Sequence, residues 1–225
     1  MSQAATAEAP RLQATPSMCH YCFYVLLQTV NLPPTISFRV QKPDYLSDLP
    51  SLSVQSPLFV TWEKCRSSDR YSLRGCIGSL TPKPLRSALE QYAILSSTQD
   101  RRFDPITWGE VYDLRVAVSL LVHYEECADC FDWTVGIHGI TIRWNAYSAT
   151  YLPEVMVEQK WSQQQAIESL VRKAGYKGTV TPELLRSLQC TRYQSSKCRV
   201  TFREFLRECG DGLHDEIPQV KCTVS

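Results

Sequence analysis

The sequence contains no hydrophobic run long enough to cross a membrane, and its charges nearly cancel. Within 225 residues, no stretch reaches the roughly 18–20 apolar residues that a membrane helix requires. The formal net charge of +1 gives no indication of a nucleic-acid or membrane partner. Hydrophobic residues make up 44% and charged residues 21%, as in ordinary globular proteins. The composition predicts one large domain or two small lobes without a membrane partner.

Motifs of several enzyme classes are also absent. The chain has no glycine-rich phosphate loop, nucleophile-elbow serine, protein-kinase motif set or helical His-x-x-x-His pair. Only four histidines occur, so few side chains could act as a general base. We therefore expect no cofactor, and composition alone leaves open whether the protein is an enzyme.

The first seventeen residues lack the basic start and apolar segment of a secretory signal. Their alanines and prolines predict a disordered tail. Without a secretory signal we expect a reducing compartment, in which most of the ten cysteines are free thiols.

Two Cys-x-x-Cys pairs, Cys19/Cys22 and Cys127/Cys130, raise the alternatives of structural zinc or a redox pair. The pairs are about 100 residues apart, far more than a zinc ribbon or finger uses. Buried or surface thiols remain the favoured interpretation, and we predict no metal site.

The stretch Leu73-Arg74-Gly75-Cys76-Ile77-Gly78, here called the signature, is the strongest indication of a site. Two glycines flank a thiol within a run typical of a strand, although a core strand needs no glycine. Glycine allows another backbone or a ligand to approach closely. The alternative is that Cys76 is a small buried residue and the glycines serve packing.

Residues 58–63 and 71–80 predict a β-hairpin, and a helix is expected from residue 85 to about 96. Because this helix follows the signature, we expect its N-terminus to lie near Cys76. Unpaired N–H groups there would favour anions and lower a thiol pKa.

Elsewhere the pattern predicts helices and strands in an α+β fold with a mainly antiparallel sheet. The expected helices are a buried one over 18–30, a short one over 108–113, one over 163–174 capped by Ser162 and Gln165, one over 182–188 and a turn over 203–209. The expected strands are 114–122, a hairpin or bulged strand over 135–144 turning at His138-Gly139, an extended piece over 150–155, and 190–202.

The signature resembles that of the AMMECR domain family, named for a human chromosomal deletion region. Further segments resemble the same family in the same order: Pro57–Trp62, Asp100–Phe103, Val118–Leu121, Asp132–Ile140, Ala149–Val155 and Glu158–Trp161. The resemblance covers roughly Met18 to Phe205, and the cysteine-rich start is similar to eukaryotic members. The second Cys-x-x-Cys pair is a departure from the family pattern.

The resemblance implies two α/β lobes with a cleft between them, near which the signature lies. It places the domain at residues 18–205, between tails at 1–17 and 206–225. The family's biochemical activity is unsettled. Some prokaryotic relatives occur fused to, or beside, a Memo-type dioxygenase-like domain and a radical SAM protein, which implies a shared pathway. Eukaryotic members are associated with the nucleus and cytoplasm.

Two hypotheses for the signature follow. In the first, a ligand- or partner-binding domain with a regulatory or scaffold role uses the cleft. Its contact residues would be Leu73, Arg74, Gly75, Cys76, Ile77, Gly78, Arg102 and Gly139. The partner would be an unidentified protein, with a Memo-type protein as one candidate.

In the second hypothesis, the protein is a small-molecule enzyme with Cys76 as nucleophile. His138 would be the base, because it lies between glycines in an expected turn. Glu63 or Glu154 would orient the imidazole.

Arg74 and the basic third of the chain leave further alternatives. An arginine in an apolar strand needs a partner, either a carboxylate such as Glu63 across the hairpin or an anionic ligand. Residues 160–207 include ten basic and only three acidic residues, and aromatic residues are interleaved with them. This third would be either a solvated face or a single-strand nucleic-acid surface.

Overall fold

The computed structural model describes residues 12–33, 39–67 and 70–211. Six α-helices lie in these ranges: Pro16–Thr29 (α1), Leu85–Thr98 (α2), Pro153–Gln159 (α3), Gln163–Lys173 (α4), Pro182–Ser187 (α5) and Phe202–Cys209 (α6). The strands are Arg39–Val40 (β1), Gln55–Ser67 (β2), Arg70–Pro84 (β3), Leu114–Glu126 (β4), Gly139–Trp144 (β5), Tyr147–Tyr151 (β6), Gln189–Thr201 (β7) and Gly210–Asp211 (β8). Short 3-10 helices cover Leu46–Asp48 and Trp108–Asp113.

Six strands form one sheet in the order β3-β2-β4-β7-β5-β6, and β1 pairs with β8. The pairings of β2 with β3 and β4, and of β5 with β6 and β7, are all antiparallel. The predicted α+β class with a mainly antiparallel sheet is therefore confirmed.

The chain divides into unit 1, Met1–Leu120 with Lys197–Ser225, and unit 2, Leu121–Ser196. The helical turn predicted over 203–209 is present as helix α6, which ends at Cys209. Most of the predicted tails, residues 1–11 and 212–225, lie outside the described residues.

Unit 1 is built around the buried helix α1. Apolar residues on nearly every side of this helix leave it no polar face, so it is covered by its neighbours. The Phe23 ring lies 5.3 Å from the Trp62 ring, 5.3 Å from that of Phe202 and 5.4 Å from that of Phe205. This aromatic core fixes the end of the sheet that carries β2 and β3.

Unit 2 has its own core, into which α4 inserts Ile167 and Leu170 against Ile140 and Met156. The predicted capping box is present at its start. The Ser162 hydroxyl accepts the Gln165 N–H, and the Gln165 side chain accepts the Ser162 N–H.

We expect Ser162→Ala to lower the free energy of unfolding by about 1 kcal/mol, because the cap satisfies an otherwise unpaired helix N–H. Urea denaturation followed by circular dichroism measures this change. Ser148→Ala, at an exposed strand position, is the matched control and should change stability by less than about 0.5 kcal/mol. Equal losses in the two variants would contradict a capping role.

Two elements of unit 2 differ from the sequence prediction. Residues 135–138 form a turn before β5 rather than the first half of a hairpin, with Gly136 at φ 84°. The hairpin instead joins β5 to β6 through Asn145, at φ 52°. Pro153 starts helix α3 rather than lying within an extended piece over 150–155. Proline is accepted at this position because the N–H that it lacks would be left unpaired in the first helical turn.

Candidate functional site

The signature lies on β3, at an edge of the six-stranded sheet. Thr61 and Trp62 of β2 stand opposite Cys76 and Gly75. The next pair is Glu63 with Leu73, so Arg74 is an extra residue in a β-bulge. Since a bulge re-aims side chains, it explains how an arginine is accommodated in this strand.

Both signature glycines are required by close backbone approaches. A Cβ on Gly75 would overlap the backbone oxygen of Ser96, and a Cβ on Gly78 would overlap that of Leu58 and the Phe59 ring. The packing role that the sequence analysis left open is therefore present at both positions.

The same contact corrects the predicted position of α2. The strand β3 continues through Pro82 to Pro84, since an edge strand tolerates proline, and α2 then folds back along it. The last turn of α2, at Ser96, lies against Gly75. The prediction that the helix N-terminus lies near Cys76 was therefore wrong.

Asp100, two residues after the end of α2, bonds to the exposed edge of the signature. Its Oδ2 accepts the Cys76 backbone N–H at 2.8 Å, while Arg102 Nη2 donates to the Cys76 carbonyl at 3.2 Å. Arg102 also binds Asp100 through Nε at 2.9 Å and Nη2 at 2.6 Å. Asp100 and Arg102 thus bind the N–H and the carbonyl of Cys76, backbone groups that an edge strand usually leaves unpaired.

The Arg102 hydrogen bond holds the pKa of Asp100 well below its ordinary value, although burial opposes this shift. N–H groups of Cys76 and Arg102 act in the same direction as the guanidinium. Asp100 is thus an ionised, buried anchor for Arg102, whose own side chain is 55% exposed.

Arg74 is held by Glu110 rather than by Glu63, which corrects the partner named from the sequence. Arg74 Nε and Nη2 lie 2.9 and 2.8 Å from the two carboxylate oxygens, a bidentate geometry. Lys64 adds a bond of 3.3 Å. Burial would raise the pKa of Glu110, but Arg74, the Thr107 N–H and Lys64 together lower it to about 2.

Glu63, the partner predicted for Arg74 or an imidazole, binds Arg115 at 2.6 Å and lies 3.8 Å from Arg199. Of the two alternatives left open for Arg74, an internal carboxylate is present, and Glu110 rather than Glu63 supplies it.

The remaining groups around the signature are Thr61 and Phe103. Thr61 donates its hydroxyl to Cys76 Sγ at 3.1 Å, and the thiol is half-buried. The guanidinium carbons of Arg74 and Arg102 lie 5.9 and 5.5 Å from the Phe103 ring centroid. We call Arg74, Cys76, Asp100, Arg102, Phe103 and Glu110 the signature cluster.

His138 and Gly139 lie in unit 2, whereas Cys76 lies in unit 1. His138 Nδ1 accepts the Thr134 N–H at 2.9 Å, which holds the ring in its turn. A Cβ on Gly139 would overlap the Tyr193 ring, so this glycine also serves packing. The pairing of Cys76 with His138 stays a prediction.

Glu154, the other residue predicted to orient an imidazole, lines an open cavity of about 340 Å³ within unit 2. Ile137 and Val157, each 54% exposed, line the same cavity.

The thiols of the two Cys-x-x-Cys pairs are free, and among residues 12–33, 39–67 and 70–211 no group of metal-ligating side chains is placed to hold a metal ion. In this same part of the chain, no helix is long and apolar enough to span a membrane.

Several side chains of the basic third are engaged within the protein. Arg192 pairs with Glu125 and Asp132, both at 2.8 Å, and Arg186 pairs with Glu183. The alternative of a nucleic-acid surface on the basic third stays a prediction.

Sequence reasoning missed Asp100, Glu110 and Thr61 as parts of the site. Thr61 could have been found, because the register of the predicted hairpin pairs it with Cys76. Glu110 carried a local signal, since Thr107 and Glu110 form a capping box, but its bond to Arg74 spans 36 residues.

Comparison with known proteins decides the family. The sequence matches the family model AMMECR1 over residues 19–198. The chain belongs to the AMMECR1 family. The resemblance stated from the signature is thereby confirmed.

Relatives in this family extend over most of the chain. An uncharacterised protein of Arabidopsis thaliana is 39% identical over 201 residues, covering 87% of this chain and 89% of its own length. An uncharacterised protein of Schizosaccharomyces pombe is 38% identical over 194 residues, covering 84% and 93%. The crystal structure of an uncharacterised protein from Pyrococcus horikoshii is similar with a TM-score of 0.54 and 26% identity, covering 81% of this chain and 87% of that one. This similar structure has the same α+β fold.

Proposed function

We propose that the protein is a binding domain that recognises an anionic group, a carboxylate or a phosphate, at the signature cluster. One observation carries the proposal: Arg102 is 55% exposed, yet a carboxylate that is only 8% exposed fixes its guanidinium. A long exposed side chain ordinarily loses rotamer freedom when it binds a ligand. Here the ion pair has already ordered the side chain, so an incoming anion meets a preorganised donor.

The neighbouring groups give the site its shape. Phe103 offers an apolar surface beside the Arg102 guanidinium. Arg74 adds positive charge but is held by Glu110, so we assign it a positioning role rather than the ligand contact first expected of it. Leu73, at 39% exposure, and the half-buried Cys76 would line the site, whereas Ile77 lies on the opposite face of β3.

Covalent catalysis through Cys76 has less support. Within the described part of unit 1, the hydrogen bond to Cys76 Sγ comes from Thr61, and a threonine hydroxyl is not a general base. We therefore favour binding over an enzymatic role. The partner that supplies the anion, a contribution of Gly139 and a regulatory role in the nucleus or cytoplasm stay predictions.

The test is an NMR titration of the folded protein with inorganic phosphate and, separately, with citrate at constant ionic strength. We expect saturable shifts of amides around the signature. Arg102→Gln should weaken binding at least about tenfold, because a charge-assisted hydrogen bond contributes about 1.5–3 kcal/mol.

Arg101→Gln is the matched control, since it removes the same charge from the exposed neighbouring residue and should change the affinity less than about twofold. Equal effects of the two substitutions would mean nonspecific charge attraction and would contradict the proposed site. Comparing phosphate with citrate identifies the preferred anion.

A further inference from the structure

Two thiols outside the signature cluster meet within unit 1. Cys19 lies in the first turn of α1 with no exposed surface, and Cys198 lies half-buried in β7. Cys19 Sγ donates to the Cys198 carbonyl oxygen at 3.5 Å, and the two side chains are close enough to shift each other's pKa. The fold thus brings together two cysteines that lie 179 positions apart in sequence.

The surroundings of the two sulfurs differ. The hydrogen bond from Cys19 lowers the pKa of Cys198 to about 7; burial opposes this shift, and the Arg199 N–H assists it. The contact with Cys198 and burial raise the pKa of Cys19. At neutral pH, Cys198 therefore has substantial thiolate character, while Cys19 remains the protonated donor.

We propose that Cys198 and Cys19 form an oxidisable dithiol site, in which Cys198 reacts with a hydroperoxide and Cys19 completes a disulfide. Cys198 is half-buried whereas Cys19 has no exposed surface, so of the two residues we expect an oxidant in solution to reach Cys198 first. The buried Cys19 needs no such access, because it attacks only the neighbouring sulfur.

The chemistry proceeds in two balanced steps. The Cys198 thiolate attacks the terminal peroxide oxygen; the O–O bond breaks, the alkoxide leaves with a proton as an alcohol, and Cys198 becomes a sulfenic acid. Cys19 then attacks the Cys198 sulfur; the S–O bond breaks, and hydroxide leaves with the Cys19 proton as water. Two thiols are oxidised to one disulfide while the hydroperoxide is reduced to alcohol and water.

Four of the other thiols are less suited to react first. Burial raises the pKa of Cys22, and it does the same for Cys127, Cys130 and Cys190 in unit 2. A higher pKa leaves less thiolate at neutral pH, and the thiolate is the nucleophile.

The test treats the reduced full chain with one equivalent of hydrogen peroxide and maps the products by mass spectrometry. We expect an intact mass lower by about 2 Da and a peptide cross-link between Cys19 and Cys198. Cys198→Ser should slow the loss of thiols at least about tenfold. Cys65→Ser, at another half-buried thiol of unit 1, is the matched control and should leave the rate unchanged.

A second variant tests the order of the two steps. In Cys19→Ala, which cannot complete the disulfide, the sulfenic acid at Cys198 should persist and be labelled by dimedone. The wild-type protein decides the question even if a variant fails to fold. If another cysteine of the wild-type protein is oxidised first, or if its disulfide excludes Cys198, the proposal is overturned.

Discussion

Replacing Gly75 with alanine is expected to lower the free energy of unfolding by about 2–4 kcal/mol. The added Cβ would overlap the backbone oxygen of Ser96 at the end of α2. A backbone oxygen cannot rotate away, so either β3 or the last turn of α2 has to shift. Because Trp62 stands opposite Gly75 and donates its indole N–H to the Ala93 carbonyl, urea unfolding followed by tryptophan fluorescence reports on this contact.

Gly109→Ala is the matched control for this substitution. A Cβ at Gly109 meets no atom within 4 Å, so the substitution should not destabilise the protein and should raise the free energy of unfolding by at most about 1 kcal/mol. If Gly75→Ala were equally neutral, the close approach of α2 to the signature would be refuted.

Replacing Glu110 with glutamine is expected to cost about 2–4 kcal/mol. The substitution leaves Arg74, whose side chain is 11% exposed, without its bidentate partner. Breaking a buried pair costs about 3–5 kcal/mol, reduced here by partial solvent screening. Thermal and urea denaturation measure the loss, with Glu183→Gln as control. The Glu183–Arg186 pair is 75% and 70% exposed, so its removal should cost less than about 0.5 kcal/mol.

The same variant should alter the dependence of stability on pH. The folded pKa of Glu110, about 2, lies below its ordinary value of 4.5. The carboxylate therefore stabilises the folded state above pH 4.5, and this contribution is lost as the pH falls towards 2. Glu110→Gln should show a shallower decline across this interval than the wild type. An identical decline would show that Glu110 is not the group responsible.

Local signals in the sequence predicted much of the fold. The apolar surround of α1, the Ser162–Gln165 capping box and the strand alternation in β2 each involve residues a few positions apart, so each could be inferred without tertiary structure. The signature was also placed correctly on the returning strand of the predicted hairpin.

The partners within the signature cluster could not be predicted, because they depend on how separate elements fold back. Arg74 meets Glu110 because β3 has a bulge at Arg74 and a capped 3-10 helix carries Glu110. The sequence of neither element reveals that the two pack together. Asp100 bonds to Cys76 because α2 presents its last turn, rather than its first, to the signature. The turn at His138 was misassigned, since nothing in the sequence revealed which glycine adopts a positive φ.

The most direct test of the proposed binding function follows the Arg102 Nε–H resonance of the wild-type protein by NMR while inorganic phosphate replaces chloride at constant ionic strength. The resonance is assigned by its loss in Arg102→Gln. The expected result is a saturable shift of this resonance together with the Cys76 amide, whose N–H is bound by the same Asp100 carboxylate. A linear drift without saturation, or a saturable shift confined to Arg101, would contradict anion recognition at the signature cluster.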